Sequence, residues 1–105
     1  LLELKAAEPE REAVELLGKV RGELWALDQR GVELTSEQLA ERVGSTAQIT
    51  LCIGGDEGLA EQVRKEARLV WSLSKLTLPH RLARVLALEQ IYRAYEILRG
   101  GPYHK

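Results

Sequence analysis

The sequence predicts an α/β domain built on a mostly parallel sheet with flanking helices. Three observations carry this. Short apolar runs (LLELK, ELWAL, QITLCI, LVWSL) alternate with segments whose apolar residues recur at helical spacing. The run Gln48 to Ile53 is β-branched and nearly all apolar, which fits a central strand covered on both faces. The strand–helix alternation persists to the last element, which argues for a largely parallel sheet.

The elements follow in order. Leu1 to Lys5 reads as a strand. Pro9 suits the first turn of a helix, and Ala13, Val14, Leu16, Leu17 and Val20 continue it until Gly22. Glu23 to Leu27 reads as a strand and Asp28-Gln29-Arg30-Gly31 as a turn or loop. Thr35, with Gln38 three residues on, predicts a capped helix over 36–43 that buries Leu39 and Val43. After the Gln48–Ile53 strand, Gly54-Gly55 breaks the chain. A helix is expected from about Leu59 to Arg68, with Leu59 and Val63 facing in, and a strand from Leu69 to Leu73. The final helix is expected from Pro79 to Leu98, stopped by Gly100-Gly101-Pro102. Its apolar positions wrap past the single stripe a surface helix needs, so a second cover is expected, most simply an identical subunit.

Size and composition bound the function. The 105 residues suffice for one domain, 1–105, with one core. No run of about 18 apolar residues exists, so no membrane span is expected. The start of the chain, LLELKAAEPEREA, lacks a signal-peptide layout. A single cysteine, Cys52, excludes an internal disulfide and fits a reducing, cytoplasmic setting. Cys52 and the two histidines lie far apart in sequence, so no metal site is expected. Net charge is −1 but uneven. Residues 1–73 hold 9 Lys/Arg against 14 Asp/Glu, a balance of −5, and residues 74–105 hold 6 against 2, a balance of +4. A basic C-terminal part on an acidic body suggests a localised anionic partner; a solvated helix face gives the same balance.

In parallel sheets ligands sit beyond the carboxyl ends of the strands. Three loops then become candidates: Asp28–Gly31, Gly54–Gly58 and Ser74–Leu78. Gly54-Gly55-x-x-Gly58 lets backbone approach a ligand and exposes N–H groups, but it departs from the dinucleotide fingerprint at Asp56. Asp56 and Glu57 would repel a phosphate, so a neutral or cationic nucleoside fits better; a tight turn without a ligand is the competing reading. Ser74-Lys75-Leu76-Thr77-Leu78-Pro79 alternates hydroxyls with leucines, as a pocket wall against an adenine would, or as a buried connector would. His80 reads as a packed or capping residue, or as a substrate contact. Pro102-Tyr103-His104 is an unusual ending for a frayed tail.

Ile53-Gly54-Gly55 with Gly58-Leu59, then Leu73-Ser74-Lys75-Leu76-Thr77-Leu78-Pro79-His80, then Arg84-Val85-Leu86, Glu89-Gln90-Ile91-Tyr92-Arg93-Ala94 and Pro102-Tyr103-His104-Lys105 resemble the RlmH family of bacterial SPOUT-class methyltransferases. The resemblance covers about residues 23–105, and the order and spacing of the blocks make it specific. It implies a SPOUT-type C-terminal trefoil knot, which periodicity could not have shown. It also implies a homodimer whose last helices take part in the interface. Family members begin with a further strand and helix, so the resemblance reads this chain as N-terminally short.

The resemblance further implies S-adenosylmethionine as cofactor and, as substrate, a pseudouridine in 23S ribosomal RNA of the assembled large subunit, methylated at ring nitrogen 3. Carried over by position, the cofactor contacts are Leu27, Gly55, Ser74, Lys75, Leu76, Thr77, Leu78 and Pro79. His104 or Tyr103, from the tail of one subunit, is expected to remove the imide proton near the cofactor of the other, a contribution of about 10²–10⁴-fold. Arg84, Arg93 and Lys105 are expected to hold RNA phosphates. Two other readings stand beside this one. The first is a non-catalytic knotted homodimer that binds RNA or ribosome. The second is an α/β enzyme that binds a different nucleoside.

Overall fold

The computed structural model describes residues 1–6, 9–54 and 59–100. Eight elements alternate along the chain: β1 (Leu2–Ala6), α1 (Pro9–Gly18), β2 (Glu23–Val32), α2 (Ser36–Gly44), β3 (Ile49–Gly54), α3 (Glu61–Glu66), β4 (Leu69–Trp71) and α4 (His80–Leu98). The four strands form one parallel sheet in the order β1-β3-β2-β4. The predicted α/β class and parallel sheet are therefore observed, with β3 in the interior as its composition requires.

The period of two along each strand divides the core. Ile49, Leu51 and Ile53 of β3 and Trp25 of β2 join Leu39 and Val43 of α2 and Ala87, Ile91 and Ala94 of α4 on one face. Leu24, Ala26 and Cys52 face the other way, toward Leu16 of α1 and Val63 of α3. Both faces of the central strands are thus sealed by helices, which is why β3 tolerates no alternation of polar residues. Its one hydroxyl, Thr50, is fully buried and satisfied. Thr50 Oγ1 accepts the Arg21 N–H at 2.9 Å and donates to the Arg21 carbonyl at 2.7 Å.

The predicted capping box at α2 is present. Gln38 N–H donates to Thr35 Oγ1 at 3.1 Å, and Thr35 N–H donates to Gln38 Oε1 at 2.9 Å. Leu39 and Val43 are buried, as expected.

Several boundaries differ from expectation. Helix α1 ends at Gly18 rather than Gly22. Gly22 instead stands before β2 at φ +74°, where a Cβ would lie 2.2 Å from the Gln48 carbonyl oxygen. Strand β2 does not end at Leu27. It runs to Val32, but Leu27 and Val32 both register with Trp71, so residues 28–31 bulge out of the ladder to β4. The turn-forming residues there do break pairing without ending the strand. Helix α3 begins at Glu61, two residues late, because Leu59 and Ala60 are buried in extended backbone ahead of it. It ends at Glu66, where Ala67 turns back to extended backbone. Strand β4 stops at Trp71, since Ser72 turns to hydrogen-bond the Val32 and Ser74 carbonyls instead. Pro79 caps α4 and does not belong to it.

Helix α4 packs Ala87, Ile91 and Ala94 inward. Leu82, Val85, Tyr92, Tyr95 and Leu98 remain exposed. Among the described residues no helix is long and apolar enough to cross a membrane.

Candidate functional site

The carboxyl ends of β2, β3 and β4 point into one cavity of about 760 Å³, within the usual range for small-molecule sites. Three segments that contain or adjoin the loops singled out by sheet topology wall it, together with Leu59 ahead of α3 and Ala83 of α4. Strand β2 supplies Leu27 to Arg30, strand β3 supplies Ile53 and Gly54, and the connector to α4 supplies Leu73, Ser74 and Leu76 to His80. Two further hollows of about 590 and 620 Å³ are present, one beside Leu17 and Gly22 and one between the Arg30–Val32 end of β2 and Leu69 and Val70 of β4. They lack the convergence of three βα connections, so the larger cavity is the candidate site.

The connector is shaped by its hydroxyls. Ser72 Oγ donates to the Ser74 carbonyl at 2.9 Å, and Ser74 Oγ accepts the Leu76 N–H at 3.0 Å. Thr77 Oγ1 donates to Gln29 Oε1 at 3.1 Å, tying the connector to the bulge in β2. The hydroxyls thus hold the loop, which leaves Leu76 and Leu78 to line the cavity.

Among the described residues, one carboxylate stands in the lining. Asp28 is 8% exposed at its side chain and lies 3.1 Å from Arg30 Nη2 and 3.6 Å from Arg64 Nη1. Burial alone would raise its pKa; the Arg30 hydrogen bonds and the nearby Arg30 and Arg64 charges outweigh this and hold it below the ordinary value of 3.8. Arg64 also donates to the Leu59 carbonyl at 2.9 Å, linking α3 to the chain that enters it. His80, at the first turn of α4, reaches back to β3 with Nδ1 2.8 Å from the Gly54 carbonyl oxygen.

Of the predicted cofactor contacts, Leu27, Ser74, Leu76, Thr77, Leu78 and Pro79 line the cavity together. Lys75 is exposed and does not line it, because the turn at Ser74 points it outward. Gly55 lies outside the described residues, as do Tyr103, His104 and Lys105. Arg84 is exposed on α4, and Arg93 pairs with Glu89 at 3.2 Å one helical turn away. Neither arginine lines the cavity. Sequence reasoning chose the loop containing Asp28, Gln29 and Arg30 but assigned none of the three a role; an Asp followed by Arg two residues on was the available signal. Cys52 stays out of the site on the opposite face of the sheet, its thiol pushed up to about 11 by burial. Among the described residues no cluster of His, Cys, Asp or Glu could hold a metal ion.

What the arrangement can do follows from its parts. Leucines and Ile53 offer apolar surface to a flat ring, and Asp28 and Arg30 offer charges of both signs. That set suits a nucleoside that carries a charged side arm. The family described as "Predicted SPOUT methyltransferase" matches residues 3–104. A protein of Polynucleobacter necessarius subsp. necessarius (strain STIR1), "Ribosomal RNA large subunit methyltransferase H", is 41% identical over 114 residues, covering 99% of this chain and 84% of that protein. Proteins of the same name from Polynucleobacter asymbioticus and Anaeromyxobacter sp. (strain Fw109-5) are 43% and 47% identical, covering 92% and 91% of this chain and 70% and 67% of theirs. With nearly its whole length matched, and with its cavity at the expected strand ends, the chain belongs to the SPOUT methyltransferase family.

Proposed function

We propose that this methyltransferase uses S-adenosylmethionine to methylate ring nitrogen 3 of a pseudouridine in 23S ribosomal RNA of the large subunit. The observation that carries the proposal is the cavity at the strand ends. It gathers six of the eight residues that the resemblance assigns to the cofactor. The name shared by the similar proteins supports a large-subunit ribosomal RNA as substrate.

The residues fit the cofactor on chemical grounds. Leu27, Leu76 and Leu78 suit an adenine, and Asp28 and Arg30 complement a zwitterionic amino-acid arm. When bound, S-adenosylmethionine supplies a methyl group activated by its sulfonium charge. The chain's part is to hold and align the reactants for an in-line displacement. Gly55 and Lys75 are the other two members of the proposed cofactor set, although Lys75 stands exposed on the connector outside the cavity lining. Tyr103 and His104 are the proposed catalytic residues, one of them taking the imide proton from the target base across the subunit boundary. Arg84, Arg93 and Lys105 are the proposed phosphate contacts.

The proposed assembly is a single domain of residues 1–105 with a C-terminal trefoil knot, paired as a homodimer through α4 and acting in the cytoplasm. The exposed stripe of Leu82, Val85, Tyr92 and Tyr95 supports the pairing, since such a stripe on a helix calls for a cover.

Titration calorimetry of S-adenosylmethionine into the protein, with Gly55→Trp as control, tests the reading. Saturable binding abolished by the substitution is expected, followed by transfer of labelled methyl to unmodified large subunits. A folded dimer that binds no S-adenosylmethionine would reject it. Full turnover by His104→Ala with unchanged RNA binding would remove His104 from the chemistry.

A further inference from the structure

We propose that His80 is a nucleoside-recognition residue, its Nε2 accepting a hydrogen bond from an uncharged N–H or O–H of the cofactor's nucleoside half. The inference rests on the cofactor reading above and adds a residue and a hydrogen bond that the reading does not contain.

The argument begins with a tautomer. His80 Nδ1 lies 2.8 Å from the Gly54 carbonyl oxygen. A carbonyl can only accept, so Nδ1 carries the proton, and in the neutral ring Nε2 carries a lone pair. His80 lines the cavity, and no hydrogen bond or ion pair with a described residue engages its Nε2.

Three other polar side chains of the described lining already take part in bonds within the chain. Asp28 is held by Arg30 and Arg64. Gln29 Oε1 receives the Thr77 hydroxyl, and Ser74 Oγ receives the Leu76 N–H. His80 Nε2 is a side-chain acceptor of the described lining that no bond within the described chain engages. The class of donor follows from charge. An ammonium group gains more from the Asp28 carboxylate than from a neutral ring. The ribose hydroxyls and the adenine amino group are uncharged donors, and they match a neutral imidazole. The Gly54 bond pre-orients that ring, so little side-chain freedom is lost on binding.

Calorimetric titration tests the assignment with two ligands: S-adenosylmethionine, and 5′-methylthioadenosine, which lacks the amino-acid arm. Asn keeps a donor near the Nδ1 position without the distal acceptor, whereas Gln places its amide oxygen nearer the Nε2 position. Affinity about tenfold weaker for both ligands is expected with His80→Asn, at an unchanged unfolding temperature, and most of it returns with His80→Gln. Wild-type affinity for both ligands in His80→Asn would overturn the proposal, leaving His80 only its bond to Gly54. A loss confined to S-adenosylmethionine would overturn it too, since the donor would then lie on the amino-acid arm. If His80→Asn does not fold, His80→Gln decides: wild-type-like binding of both ligands supports the assignment, and a tenfold loss of both overturns it. A wild-type protein that binds neither ligand would instead mark failure of the cofactor reading itself.

Discussion

Arg30 grips Asp28 three times: its backbone N–H and Nε reach Oδ1 at 2.8 and 3.2 Å, and its Nη2 reaches Oδ2 at 3.1 Å. This grip shapes the bulge that leads β2 into the cavity, and it has a pH signature. The folded-state pKa of Asp28 lies below its ordinary 3.8, so the stabilisation is fully present above that value and is lost as pH falls through the lower folded one. Asp28→Asn is expected to lower stability at neutral pH by about 1–2 kcal/mol, toward the lower end because the Arg30 side chain is 65% exposed. The substituted protein should also lose less stability than the wild type on acidification. Urea unfolding from neutral to strongly acid pH measures both effects; an unchanged acid slope would mean that the pair contributes nothing net.

Trp25 and Trp71 meet edge to face across the β2–β4 ladder, with ring centroids 6.2 Å apart and planes at 81°. Both are buried, at 0% and 2% exposure. Trp25 Nε1–H donates to Glu23 Oε1 at 2.8 Å, so its polar edge is satisfied. Truncating either ring opens a cavity that the sheet cannot close. Trp71→Ala is expected to destabilise by about 3–5 kcal/mol in equilibrium unfolding. A loss below about 1 kcal/mol would show that the region collapses around the gap.

The parts legible in the sequence are the local ones. Thr35 and Gln38 announce their capping box because both partners lie within one turn. The apolar run of β3 announces burial on both faces because period and composition agree. The strand order β1-β3-β2-β4 is set by pairings between distant segments, which no local pattern encodes. The same limit applies to the site. The three loops were legible from strand–helix alternation, but the contacts that join them were not: His80 meets Gly54 across 26 residues, and Thr77 meets Gln29 across 48. The bulge at 28–31 was masked by turn-forming residues, which look alike whether the strand ends or only leaves its ladder.

Gly31 sits where that bulge passes closest to β4. A Cβ there would lie 2.3 Å from the Val70 carbonyl oxygen and 2.9 Å from the Trp71 nitrogen. Both are backbone atoms, so the contact is relieved only by parting the strands. Gly31→Ala is expected to destabilise by about 1–3 kcal/mol, as overpacking does. It should also displace Arg30 and so weaken binding of S-adenosylmethionine. Gly18→Ala is the control, since nothing lies within 4 Å of its Cβ and it ends an α-helix. If both substitutions leave stability and binding alike, the close approach at Gly31 is not a constraint in solution.

Cys52 lies in the middle of β3 with 0% exposure, and burial pushes its thiol up to about 11 from an ordinary 9.0. The folded protein therefore holds the thiol proton more tightly than the unfolded chain does. Stability from this group is fully present below pH 9.0 and is lost as pH rises toward 11. Two results are expected. A thiol-specific disulfide reagent at about pH 8 should leave the folded protein unlabelled and label it at once in denaturant, because the thiolate is the nucleophile and it is absent. Cys52→Ala should flatten the alkaline loss of stability, at the expense of about 1 kcal/mol at neutral pH from the small void. Rapid labelling of the folded chain would mean that β3 opens locally well below global unfolding, which would place the strand that carries Gly54 among the mobile parts of the sheet.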